Sequence, residues 1–220
     1  SRRPILLTNI ATVSVGMGLY FGFLGLTGIV QSPIASGYGF GATVLTASVV
    51  FLLPGAISGF ITATASGRYI DRYGARPVLM VGAATGVLGF ALLAVAHSQT
   101  WQVIVGSVVV NAYISLAYGA LPALVIREVD AGETGVATSM NAIARTVGAS
   151  LSAAMVAVLL SRHGRGTTFP PESSYTLIFV LGAVSALVAM LLIAAGNPRL
   201  RRVESVDELS DSRAMNHEWG

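Results

Sequence analysis

Six long stretches almost free of charge leave this chain one environment and one regular structure. They run Ile5–Val30, Ala42–Ala65, Pro77–Ala96, Trp101–Ile126, Gly135–Leu160 and Tyr175–Ala195. Each reaches the roughly 20 apolar residues that a helix needs to cross a bilayer core about 30 Å thick. Hydrocarbon offers no partner to a backbone N–H or C=O, so only helices and closed barrels span it. These runs are continuous and lack the alternation of a barrel strand. The expected fold is therefore all-α and integral to a membrane, with six transmembrane helices. Composition agrees, since 10% of residues are charged against about 25% in soluble domains.

The few charges argue about orientation and exclude several functions. All 13 basic residues are Arg and the net charge is +3. All but Arg145 collect in the connections and termini rather than in one stripe with interleaved aromatics, so nucleic-acid binding is not expected. Arg2, Arg3, Arg68, Arg72, Arg76, Arg127, Arg199, Arg201 and Arg202 fall on one side, and Arg162 and Arg165 on the other. The side richer in Arg is expected to be cytoplasmic, which puts both termini there in a multi-pass cell-membrane protein. Cys is absent, which excludes disulfides and thiolate metal sites. His97, His163 and His217 are scattered over connections and tail, and the spans hold no Ser/His, paired Asp or metal-ligand constellation. No metal, cofactor or enzymatic activity is expected. Residues 1–196 read as one transmembrane domain, and 197–220, with Glu204, Asp207, Glu208, Asp211 and Glu218, as a polar cytoplasmic tail expected to be disordered. The start at Ser1, without an initiator Met or signal peptide, is expected of a fragment or processed chain.

Between the second and third runs lies a charged island, Gly67-Arg68-Tyr69-Ile70-Asp71-Arg72-Tyr73-Gly74-Ala75-Arg76. Its charges bar it from hydrocarbon, so it reads as a short connection at the membrane surface. Gly74 suits a turn with positive φ, and Pro77 suits the start of the next helix. Asp71 is placed to accept from the N–H groups of a neighbouring helix N-terminus, and Arg72 and Arg76 to pair with carboxylates or helix C-terminal carbonyls. The carboxylates of Arg127–Glu133 lie on the same side, offering a second latch of exposed pairs typically worth about 0–1 kcal/mol each. The pattern Gly67-x-x-x-Asp71-Arg72-x-Gly74-x-Arg76 closely resembles the signature loop of the major facilitator superfamily of secondary transporters. Tyr69 and Ala75 depart from that family's common leucine and basic residue. The resemblance implies that Gly67, Asp71, Arg72, Gly74 and Arg76 gate the cytoplasmic side.

Polar groups inside the spans are the other functional signal, because lipid-facing positions penalise them. In the first span Asn9, Thr12, Gly16, Tyr20 and Phe23 share one face, which reads either as cavity lining or, with Gly18 and Gly22, as close helix packing. The second carries Pro54-Gly55, a hinge or a static kink. Gly82, Gly86 and Gly89 give the third a packing face. The fourth aligns Asn111, Ser115, Tyr118 and Pro122, and the fifth Asn141, Arg145, Gly148 and Ser152. Arg145 either snorkels to the interface or faces a polar cavity. The run Asn141-x-x-x-Arg145-x-x-Gly148 is similar to the matching helix in the second half of the family's fourteen-span drug:proton antiporters.

Every Asp and Glu lies outside the spans, so a carrier for a coupling proton is expected elsewhere than in this chain. Together the resemblance implies the C-terminal six-helix half of a two-half transporter, completed by a missing N-terminal half or a second copy and surrounded by lipid. The expected activity is alternating-access, proton-coupled efflux of drugs or other amphipathic small molecules. Asn9, Tyr20, Asn111, Tyr118, Asn141 and Arg145 are the expected cavity lining. A reading of another class is a truncated, non-transporting scaffold that binds partners through its glycine faces.

Overall fold

The computed structural model describes residues 2–128, 132, 134–162 and 169–196. Those residues form six helices long and apolar enough to span a membrane: α1 (Arg2–Gln31), α2 (Val44–Tyr73), α3 (Ala75–Val95), α4 (Thr100–Glu128), α5 (Thr134–Leu160) and α6 (Glu172–Ala195). The tail and the carboxylates of Asp130 and Glu133 lie outside the described residues. So do the side chains of Arg127 and Glu128, and with them the expected latch from Arg127–Glu133.

The helices extend beyond the apolar runs, most of all in α2. Gly67–Tyr73 is not a connecting loop but the last two turns of that helix, and the connection is Gly74 alone. Charge bars a segment from hydrocarbon, not from a helix that has left it. The chain turns because Gly74 takes φ 89° and ψ 160°, a conformation nearly closed to side-chain-bearing residues, while its N–H closes the final turn on Ile70 O at 2.8 Å. Pro54 acts upstream of itself. Lacking an N–H and crowding the preceding turn, it follows a π-helical turn at Ala47–Leu52, where Leu53 N–H bonds Ser48 O.

The packing order has an internal symmetry. α1 packs on α5 and α6, α4 packs on α2 and α3, α3 faces α6, and α1 touches α4. Exchanging α1 with α4, α2 with α5 and α3 with α6 returns the same neighbours. Since successive spans reverse direction, an offset of three inverts them, so the two three-helix units are inverted repeats. The repeats do not cover all helices equally. Only 22% of the most apolar stretch of α2 and of α5 is buried, against 56% for α1.

Lipid supplies no hydrophobic drive between helices, so small residues that permit close approach decide the contacts. On α1 and α5, Gly16 lies against the Arg145 carbonyl and Gly148 against the Val13 carbonyl, and a Cβ at either would strike backbone. The equivalent α2–α4 seam sets Gly55 against Ser107 and Asn111. Gly86 receives the ring of Tyr113, a fully buried residue of α4, which establishes the packing role read for the third span. Gly135 on α5 meets nothing within 4 Å. Gly148→Ala is therefore expected to destabilise the folded protein by about 1–3 kcal/mol, the usual range for overpacking. Gly135→Ala should be neutral or stabilising by up to ~1 kcal/mol, as helix propensity dictates. Reversible unfolding of both variants in mixed micelles measures the difference.

Candidate functional site

Three of the polar residues expected in the spans meet on one side of the bundle. Gly16 brings the α5 backbone against α1 at Arg145, and Tyr20 follows one turn later on α1. From there the Arg145 guanidinium carbon lies 4.5 Å from the centroid of the Tyr118 ring of α4. Tyr118 has Arg145 and Tyr20 as its electrostatic neighbours. Arg145 follows Thr134 by eleven residues, about 16 Å of helix rise, and is well inside the span.

An arginine at that depth costs about 2.5–3.5 kcal/mol on insertion scales. A cation–π contact returns about 0.5–2 kcal/mol, so the aromatic face offsets part of the penalty. No carboxylate pairs with Arg145 among the described residues. Among the described residues its guanidinium makes the aromatic contact and donates no side-chain hydrogen bond. Pro122, inside α4, removes the N–H that would bond the Tyr118 carbonyl. Tyr118 is partly exposed and Tyr20 is 37% exposed, so the cluster faces open space at its rim.

The other three expected lining residues lie elsewhere. Asn141 is 1% exposed, and its Nδ2 donates to Thr12 Oγ1 at 2.6 Å, while Thr12 donates to Thr8 O at 2.8 Å. It is interhelical glue between α5 and α1. Asn111 bonds Ser107 O of its own helix at 2.9 Å beside Gly55, so the α4 stripe is divided, its first part resting on α2 and Tyr118 on α5. Asn9 is partly exposed, with an Oδ1 that is buried and takes no hydrogen bond among the described residues.

At the Gly74 end the charged motif separates in the same way. The Arg76 guanidinium Nη2 donates to Ile193 O at 2.8 Å and Ala194 O at 2.9 Å, capping the last carbonyls of α6 as the sequence suggested for this residue. Beside it lies a cavity of about 310 Å³ lined by Leu7, Tyr73, Gly74 and Leu192 among others. Arg72 leans over the Tyr73 ring at 5.3 Å, and Tyr69 and Tyr73 stack with centroids 6.2 Å apart. Asp71 is exposed and takes no hydrogen bond or ion pair among the described residues. Gly67 has open space around it.

Sequence reasoning missed a contact at the opposite end, His97 with Glu172 at 3.0 Å. The available signal was positional: His97 follows the third span by two residues and Glu172 opens the sixth. Arg76→Ala should lower stability by roughly 1–2 kcal/mol, within the range for hydrogen bonds to a charged group. It should also raise the mobility of a spin label at Ala195→Cys, with little change for a label at Gln99→Cys at the other end.

No curated protein matches the chain. The family model of the Major Facilitator Superfamily matches residues 6–215, nearly the whole chain, and the paired three-helix units agree with that superfamily's architecture. The chain belongs to the Major Facilitator Superfamily of membrane transporters.

Proposed function

We propose that this chain is the C-terminal half of a proton-coupled exporter that moves drugs or other amphipathic small molecules by alternating access. The observation that carries the reading is the Tyr20–Tyr118–Arg145 cluster, two amphipathic aromatics and a cation free of carboxylates, set well inside the spans and open at its rim. Aromatic faces with a single strong donor set suit amphipathic organic molecules better than sugars, which need many hydrogen-bonding partners.

The thinly covered helices support a second six-helix unit, an N-terminal half or another copy, as the partner. α5 exposes Ile143, Val147 and Leu151 with the small residues Ala142, Thr146 and Ser150 around a shallow groove. Small residues of this kind allow close helix approach within lipid. In this reading both termini are cytoplasmic in a plasma membrane, and the exposed Asp71 and Arg72 meet the second unit when the cytoplasmic side closes, with Gly67, Gly74 and Arg76 shaping the helix end.

Drug accumulation in cells expressing the native-length protein tests this reading. Arg145→Gln is expected to cut efflux at least tenfold with normal insertion, while Tyr118→Phe, which keeps the aromatic face, should retain most activity. Asp71→Ala should abolish efflux without loss of stability, because Asp71 bonds nothing described within this chain. Unchanged efflux in Arg145→Gln would contradict the site. Absence of any flux or drug protection from the native protein would favour a non-transporting scaffold.

A further inference from the structure

The His97–Glu172 contact carries a proton count. His97 is 7% exposed, and both of its ring nitrogens face oxygen acceptors. Nδ1 lies 2.7 Å from the backbone carbonyl of Leu93, which can only accept, so Nδ1 bears a hydrogen. Nε2 lies 3.0 Å from Glu172 Oε1. Neutral imidazole with its hydrogen on Nδ1 would direct a lone pair at a carboxylate. A second hydrogen is needed between those two atoms, on the ring or on the carboxyl.

The surrounding helix ends favour the ring. Leu93 lies in the last turn of α3 and Glu172 in the first turn of α6. A cation is stabilised at a helix C-terminus and an anion at an N-terminus. The Glu172 side chain is 55% exposed and reaches water, whereas the imidazole is enclosed by its two acceptors and the Phe179 ring, whose centroid is 6.2 Å away. From α6 Glu172 is the charged group facing His97, and from α3 only the Leu93 carbonyl bonds it. The nearest further titratable group on α6, Tyr175, bonds Ser32 at 3.0 Å instead.

We propose that His97 and Glu172 form a proton-binding site at this end of the bundle, holding one exchangeable proton that joins the end of α3 to the start of α6. Gain of the proton makes an imidazolium–carboxylate pair, and its loss leaves two lone pairs facing across the same gap. The inference does not depend on the efflux reading. It places an exchangeable proton in a chain whose apolar runs, from Ile5–Val30 to Tyr175–Ala195, contain no carboxylate.

The test is nitrogen-15 magnetic resonance of the full chain in lipid nanodiscs with labelled histidine, His97→Gln identifying the signals. At pH 7.5 an ordinary imidazole is about one-tenth protonated. The site predicts a second N–H on His97 in the wild type that Glu172→Gln removes. A neutral ring accompanied by a protonated-carboxyl infrared band absent from Glu172→Gln also supports the shared proton. A neutral wild-type ring with no such band overturns the proposal, as does an imidazolium fraction that Glu172→Gln leaves unchanged. If Glu172→Gln does not fold, the wild-type ring and carboxyl signals still decide. Spin labels at Gln99→Cys and Ser173→Cys should separate as the proton is lost, and a fixed distance through that titration contradicts the joining role.

Discussion

A helix end at the edge of hydrocarbon leaves carbonyls that neither lipid nor its own chain can satisfy, and this requirement ties the bundle together at both ends. α3 and α6 run antiparallel and face each other. At one end Arg76, from the start of α3, caps the last carbonyls of α6. At the other, the last turn of α3 is capped through His97, which in turn reaches Glu172 at the start of α6. Each end is held by a side chain that can carry a positive charge near a helix C-terminus, where the macrodipole favours it. With that central pair fixed, α1 and α4 lie against it, and α2 and α5 pack on the outside of the repeats.

The proposed binding cluster follows from the same economy. Without water to drive association, α1 and α5 approach through Gly16 and Gly148, and that closeness carries Arg145 across to the α4 aromatic. Asn141 and Thr12 satisfy each other within the seam, leaving Arg145 with unspent donors. A polar group that is satisfied serves packing, and one left unsatisfied at an open rim can serve binding. That distinction separates Asn141 from Arg145 one turn apart on the same helix.

The six spans were legible because hydrocarbon demands length and apolarity from every one of them. Their ends were less so: the run ending at Ala65 becomes a helix ending at Tyr73, since arginines are compatible with helix beyond the bilayer. The helical faces were legible as periodicity, yet periodicity gives no partner. Asn111 and Tyr118 share a stripe and are divided between α2 and α5 because one stripe lies across two neighbours. Arg76 could be read as a carbonyl cap from its place beside a turn. The His97–Glu172 contact offered only the positions of both residues at span ends, because its partners are 75 residues apart and the α3–α6 packing brings them together.

In the proposed function these two three-helix repeats make half of a transporter whose other half covers α2 and α5. The most direct measurement is the size of the native polypeptide in its source membrane, detected with an antibody to the tail Glu204–Gly220, before and after chemical cross-linking. The expected result is a single polypeptide of at least about twice 22.7 kDa, or a 22.7 kDa band that cross-links to a second six-helix unit. A 22.7 kDa band that cross-links to no such unit contradicts it.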